Sequence, residues 1–203
     1  MVFASGTFLF IFLPVTLAGY WLFRNKSVNV LNGCLLAMSM GFYLNSGIRQ
    51  FVLLIVSVVV NYIFALLISK SVQKCFPHKI FLVLAIIYNI GMLFVFKYLT
   101  FIRIEVLKIA GMDTRHVMEI VLPLGISFYT FQALSYVIDV YRNSELVEKN
   151  IFNVALYISF FPQLIAGPIV RWDSIRDDLR MRLWKFGWGG GRSWSAAFYN
   201  RAW

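Results

Sequence analysis

The sequence predicts an all-α protein, a polytopic bundle of transmembrane helices with a broken or re-entrant element near its C-terminal end. Of its 203 residues, 60% are hydrophobic and 14% are charged, whereas a soluble domain carries about 25% charged residues. Long apolar runs alternate with short basic loops, which is typical of membrane proteins. The last apolar run contains Pro162 and a Gly167-Pro168 pair, which interrupt a helix.

The formal net charge of +10 does not indicate a nucleic-acid-binding protein. The Lys and Arg residues are spread over short loops between apolar runs, where they set membrane topology and meet anionic head groups. Cys34 and Cys75 lack the spacing of a metal site or a disulfide framework. We therefore expect membrane lipid as a partner, no nucleic acid and no bound metal.

Six runs are candidates to cross a bilayer, whose apolar core of about 30 Å needs roughly 20 helical residues. No Lys or Arg precedes the first run, which favours a retained span over a cleaved signal peptide. The second run is interrupted by Asn32 and Gly33, so a full span and a shallow or re-entrant element both stay open. The runs are residues 3–23, 28–44, 51–68, 80–96, 120–141 and 151–170.

The region between the fourth and fifth runs, residues 97–116, predicts an amphipathic helix in the membrane interface that ends at Gly111. If all six runs cross, the loops after the second, fourth and sixth runs are the more basic ones. The positive-inside rule then places those loops in the cytoplasm. It places residues 142–150 on the opposite side of the membrane.

The fifth run carries polar residues at intervals of three and four, so that they form one stripe on a helix. An ionisable group within a span usually faces a protein interior or a solute path. The stripe therefore indicates a lined cavity. The alternative is interhelical hydrogen bonding, with Asp139 and Arg142 as an interfacial ion pair. The stripe consists of Gly125, Tyr129, Gln132, Tyr136, Asp139 and Asn143.

The sixth run, residues 151–170, predicts a broken or re-entrant element, because Pro162 removes a backbone donor and disfavours helix at Phe161. Carbonyl groups freed by such a break need protein partners, since lipid offers none. A simple proline kink is the alternative. We expect Arg171, Trp172 and Asp173 to anchor the chain at the membrane interface, followed by a polar helix.

Two segments, "LPLGISFYTFQALSYVIDVYR" and "ISFFPQLIAGPIVRW", resemble the membrane-bound O-acyltransferases, and within them the bacterial alginate O-acetyltransferase branch. The resemblance implies a multi-pass protein of the bacterial inner membrane that encloses a tunnel. It implies an acetyl donor such as acetyl-CoA as substrate, with no bound cofactor. The acceptor would be an exported polysaccharide such as alginate, or a periplasmic acetyl-relay protein.

The resemblance also implies roles for residues of both segments. Tyr129, Gln132, Tyr136 and Asp139 would shape the tunnel, and Gly167, Pro168 and Arg171 would lie near its cytoplasmic mouth. The family's essential histidine lies in an apolar region of the second half, whereas His78 and His116 of this chain lie in loops. We therefore predict no catalytic residue here.

These observations predict that residues 1–182 form the N-terminal half of such a membrane domain and are inactive alone. Residues 183–203 are rich in Trp and Gly without a helical period, which favours a shifted reading frame or a truncated gene. A Trp-rich interfacial tail is the alternative. Two other classes stay open for the whole chain, namely a small transporter or flippase subunit and a noncatalytic assembly protein.

Overall fold

The computed structural model describes residues 6, 8–23, 26–73, 78–99, 102, 104–105, 109, 123, 125–166 and 170–181. Every regular element within them is helical, which confirms the predicted fold class. Two π-helical turns flank the regular helices: Phe8–Phe12 precedes α1, and Phe94–Tyr98 continues α4. A 3-10 turn, Ser144–Leu146, follows α5. The helices are α1 (Leu13–Phe23), α2 (Val28–Ser46), α3 (Ile48–Gln73), α4 (His78–Leu93), α5 (Ile126–Arg142), α6 (Ile151–Ser159), α7 (Phe161–Ala166) and α8 (Trp172–Met181).

Two helical stretches, Ile48–Ser71 and His78–Tyr98, are long and apolar enough to cross a membrane. Only 33% and 17% of these stretches is buried in the protein, so they are not the core helices of a soluble domain. Their outward faces are apolar instead, which water would penalise and lipid tolerates. The exposed side chains on these faces include Val52, Val56, Ile63, Ile80, Val83, Ile87 and Ile90. The chain is therefore a membrane protein.

Helix α3 is held to α4 by a pair of buried amides. Asn61 and Asn89 are fully buried, and each Nδ2 donates to the other's Oδ1, at 3.2 and 2.7 Å. Each amide also donates to a carbonyl one turn back in its own helix, on Ser57 and Ala85. The two polar groups thus satisfy one another inside an apolar interface, as buried polar groups require.

Helix α5 lies at the centre of the bundle, packed against α3, α4 and α6. It begins at Ile126, whereas the sequence predicted a helical run from residue 120. Gly125 precedes it with φ 69° and ψ 15°, a left-handed conformation that a continuing right-handed helix cannot contain. The prediction was wrong on this boundary because hydropathy does not register backbone conformation.

The second apolar run forms one continuous helix, α2, despite its Asn and Gly residues. It packs against α1, α3 and α6 and buries Asn32, Ser39 and Tyr43. The Asn32 amide donates to the carbonyl of Leu179 in α8 at 2.8 Å. Helix α2 is 19 residues long, but it is not among the helices apolar enough to count as spans, so its full crossing of the bilayer stays a prediction.

A cluster of four phenylalanines joins the N-terminal segment to the interior. The rings of Phe8 and Phe12 contact those of Phe42 in α2 and Phe161 in α7, with centroids 5.2 to 6.1 Å apart. The π-helical turn that carries the first two rings ends just before Pro14. Proline lacks the donor for a regular helical bond, and such widened turns accommodate this loss.

The chain breaks between α6 and α7. Helix α6 ends at Ser159, Phe160 takes an extended conformation with φ −61° and ψ 104°, and α7 starts at Phe161 with Pro162 in its first turn. A proline costs little there, because the first turn leaves its N–H groups unpaired anyway. The predicted break is confirmed, although the extended residue is Phe160 and not Phe161.

Both flanks of this broken segment lie at the same end of the bundle. The Trp172 indole donates to the carbonyl of Leu146 at 2.8 Å, and Arg180 Nε pairs with Glu148 Oε2 at 3.1 Å. Helix α6 is nine residues long, or about 14 Å at 1.5 Å per residue, too short for a crossing. The element is therefore re-entrant, and the prediction that residues 142–150 and the segment after Arg171 lie on opposite sides is wrong.

The same end of the bundle gathers three further contacts. Ser69 donates to the carbonyl of Ser144 at 3.3 Å, Tyr62 donates to that of Lys149 at 2.6 Å, and the His78 ring lies 5.2 Å from that of Tyr141. We call this end, formed by residues 26–32, 69–73, 78–80, 141–150 and 170–181, the basic end. The tail at 183–203 and most of the predicted interfacial helix at 97–116 fall outside the described residues.

Candidate functional site

Four of the six stripe residues lie on α5 and face the interior of the bundle, whereas Gly125 and Asn143 flank the helix and Asn143 is exposed. Tyr129, Gln132, Tyr136 and Asp139 expose 1%, 4%, 0% and 7% of their surface, whereas Phe131 exposes 45%. A helix rotates by about 100° per residue, so intervals of three and four keep the stripe on one side. The sequence spacing therefore corresponds to one buried face, and the tunnel role of these residues stays a prediction.

Gln132 meets the re-entrant element inside the protein. Its amide Nε2 donates to Oε1 of Gln163 in the short helix α7. This contact joins the middle of the stripe to the part of the chain just after the break at Phe160. Gln163 did not stand out in the sequence, although a lone amide within a broken apolar segment is a signal that could have singled it out.

Tyr136 belongs to an aromatic group that closes the stripe at the basic end. The Trp172 ring packs edge-to-face on Tyr136 and on Tyr157, with centroids 5.2 and 5.1 Å apart, the geometry that aromatic pairs prefer. The Tyr136 hydroxyl accepts from the backbone N–H of Glu148 at 3.2 Å, and Tyr157 donates to the carbonyl of Val170 at 2.7 Å. Trp172 is fully buried, so its prediction as an interfacial anchor is wrong.

Asp139 has a carboxylate oxygen without a partner. Its Oδ2 is buried and makes no hydrogen bond. Within the described part of the chain no ion pair joins Asp139 to Arg142, whose side chain is exposed. Its side chain lies within electrostatic range of Tyr157. A buried carboxylate oxygen without a partner is costly, and Asp139 is the only carboxylate of the stripe.

Tyr129 lies among further buried hydroxyls without partners. The hydroxyls of Tyr43 in α2 and Tyr88 in α4 lie within electrostatic range of Tyr129. None of the three makes a hydrogen bond, and neither do the nearby Ser39 and Thr130. A buried hydroxyl without a partner costs about 1 to 3 kcal/mol. The interior between these three helices therefore offers hydrogen-bonding groups that the described residues leave unused.

Of the other predicted site residues, the structure describes only Arg171. Arg171 is exposed at the basic end, and Gly167 and Pro168 lie outside the described residues, as does His116. His78 begins α4 at the basic end, where its ring contacts that of Tyr141. Within the described residues no group of three or more His, Cys, Asp or Glu could hold a metal ion.

The chain is similar to bacterial O-acetylating proteins. It is 37% identical over 186 residues to "Probable alginate O-acetylase AlgI" of Pseudomonas aeruginosa, which covers 90% of this chain and 35% of the relative. A protein of the same name in Azotobacter vinelandii is 35% identical over 185 residues, 90% of this chain and 36% of the relative. The peptidoglycan O-acetyltransferase of Helicobacter pylori is 30% identical over 198 residues, 84% of this chain and 37% of the relative.

The chain therefore spans about a third of the length of these relatives, a smaller share than the predicted half. No protein-family model and no solved structure matches it. The matched region contains the stripe of α5 and the re-entrant element, since it covers 90% of the chain.

Proposed function

We infer that this chain forms one part of a membrane O-acetyltransferase. It is homologous to alginate O-acetylases over about a third of their length, and it is therefore related to the membrane-bound O-acyltransferases. The observation that supports this best is similarity along almost the whole chain to proteins named for one reaction type. The buried stripe and the re-entrant element of α6 and α7 are the parts of this chain that would face the reacting groups.

The proposed reaction moves an acetyl group from a thioester such as acetyl-CoA to a hydroxyl of an exported polysaccharide such as alginate, or to a periplasmic relay protein. The hydroxyl oxygen attacks the acetyl carbonyl carbon, the carbon–sulfur bond breaks, and the hydroxyl proton passes to a base. Histidine is the usual base at neutral pH. In this proposal the base is the family's histidine, which the resemblance places in the remainder of the longer protein, and His78 packs against Tyr141.

The stripe would serve binding and not proton transfer. Gln132 and Gln163 already join α5 to α7, and the hydroxyls of Tyr43, Tyr88 and Tyr129 have no partners. Such groups can donate to carbonyl or hydroxyl oxygens of a substrate, or to helices that complete the bundle. In either case the one-third of the protein present here leaves its interior unsatisfied, which supports inactivity of the chain alone.

The proposed location is the bacterial inner membrane, crossed several times, with the basic end in the cytoplasm. Of the ten Lys and Arg residues that the structure describes, eight lie at the basic end, and only Arg49 and Lys97 lie at the other. Cytoplasmic loops carry the excess of Lys and Arg. If the α6–α7 segment is re-entrant, the loops before it lie on the side opposite to that expected from six full crossings. A cytoplasmic acetyl donor would then approach the end of the bundle where Trp172 and Tyr136 lie.

The decisive experiment is a chimera. The corresponding third of the Pseudomonas aeruginosa relative is replaced by residues 1–181 of this chain and expressed in a strain that lacks its own alginate O-acetylase. We expect acetylated alginate from the chimera and from the intact relative, and none from this chain alone. A chimera that reaches the membrane at normal levels without acetylating would contradict the proposed function. Acetylation by the chain alone would contradict its inactivity.

A further inference from the structure

The basic end holds an open cleft that the proposed acetyl transfer does not use. Its volume is about 440 Å³, and it lies between the end of α3, the loop after α5 and the outer face of α8. None of the stripe residues of α5 lines it. The lining residues are Ser69, Ser144, Glu145, Val147, Lys149, Arg176 and Arg180.

The cleft has more positive than negative charge. Lys149, Arg176 and Arg180 line it, against the carboxylate of Glu145, and Glu148 next to it is ion-paired with Arg180. Lys149 is exposed, and it forms no ion pair within the described residues. The cleft therefore retains cationic groups that are available to an anion.

Arg176 supplies a second indication of a ligand. One of its terminal nitrogens donates to the carbonyl of Glu145 at 2.9 Å, which fixes the guanidinium at the wall of the cleft. Its Nε is buried and has no hydrogen-bond partner. A buried charged donor without an acceptor is unfavourable, and a phosphate oxygen is well suited to accept from a guanidinium held in this way.

The level of the cleft in the membrane indicates the kind of anion. Ser69 lies in the last turn of the spanning stretch Ile48–Ser71, so the cleft opens where the apolar core gives way to head groups. Phosphates are the abundant anions at this depth, and basic pockets on the cytoplasmic side of helix bundles bind them.

We propose that this cleft binds a phosphate group, supplied by the head group of an anionic phospholipid. Lys149 and Arg176 hold the phosphate, and Arg180 is kept in place by Glu148. Bound lipid then bridges α3, the 143–150 loop and α8, and fixes the outer flank of the re-entrant element. The proposal rests on the membrane placement given above and is independent of acetyl transfer, so failure of the chimera leaves it intact.

The test uses the full chain purified in a neutral detergent, with the thermal unfolding midpoint as readout. A ligand that binds only the folded state raises this midpoint. Phosphatidylglycerol, phosphatidylcholine and inorganic phosphate are titrated separately against the wild type, Lys149→Gln and Arg176→Gln. Arg142→Gln is the matched control, because Arg142 is an exposed cation at the same end that does not line the cleft.

We expect phosphatidylglycerol to raise the midpoint and phosphatidylcholine to leave it unchanged. The half-saturating concentration of phosphatidylglycerol should rise about tenfold in either cleft variant, because each variant loses one charge-assisted hydrogen bond. It should stay unchanged in Arg142→Gln. Inorganic phosphate could instead be as potent as phosphatidylglycerol and be weakened by the same two substitutions. That result would support phosphate binding in the cleft but would overturn its assignment to a lipid head group. Equal loss in all three variants, or no response to any probe, overturns the proposal. Should Arg176→Gln fail to fold, Lys149→Gln alone decides.

Discussion

Asp139 is the residue at which the two interpretations of the stripe can be separated. A carboxylate kept for structure should have its hydrogen bonds satisfied, as Glu148 has through Arg180 and the N–H of Asn150. Asp139 Oδ2 is buried without any such bond. Unsatisfied buried groups in native proteins often mark a functional role that offsets their cost in stability.

We predict that Asp139→Asn leaves the thermal stability of the chain unchanged or raises it, because the substitution replaces a carboxylate whose Oδ2 is buried without a hydrogen-bond partner. In the chimera the same change should lower acetylation by about tenfold, the effect of losing one charge-assisted contact. Ile138→Leu, one position along the helix and off the stripe, is the control and should change neither quantity. A destabilised Asp139→Asn with normal acetylation would assign the residue to structural hydrogen bonding.

At the scale of the helices, the sequence predicted what depends on local pattern. Helices α3 and α4 follow from their apolar runs, and the buried side of α5 follows from the spacing of its polar residues. Trp172 was assigned to the interface because Arg171 and Asp173 flank it, yet its indole is buried beneath Tyr136 and Tyr157. The error arises because that burial depends on contacts with the loop at Leu146, which no local period encodes.

The Asn61–Asn89 pair gives a prediction for the contact between α3 and α4. Asn61→Leu and Asn89→Leu should each destabilise the chain, since each leaves the other amide with fewer buried partners. The double substitution should cost less than the sum of the two, with a coupling of about 0.6 to 1.7 kcal/mol in a double-mutant cycle. Thermal or denaturant unfolding in detergent measures it. Additive effects would show that the two amides do not stabilise each other.

For the molecule as a whole, topology was the property that sequence could not establish alone. Counting charges gives the side of each loop only after the number of crossings is known. Residues 151–170 are apolar enough to be counted as a crossing, but Phe160 divides them into pieces that return to the basic end. One misassigned crossing reverses the inferred orientation of the whole bundle.

Cysteine labelling tests this orientation in a background with Cys34→Ala and Cys75→Ala. We predict that Arg142→Cys and Asp173→Cys, which flank the re-entrant element, react with an impermeant maleimide from the cytoplasmic side. Arg49→Cys at the opposite end should react only from the other side. Labelling of Arg142→Cys and Asp173→Cys from opposite sides would show that residues 151–170 cross the bilayer after all.

The re-entrant element also constrains the order in which the protein is built. Helix α6 is too short to be held by the bilayer, and it packs against α2, α3 and α5. Phe160 leaves its helical conformation inside the bundle, where only protein can satisfy the backbone. The element therefore cannot enter the membrane as an independent unit during synthesis. We expect its docking at the basic end to follow the assembly of α2, α3 and α5, which makes it a late step of biogenesis that requires the earlier steps to be complete.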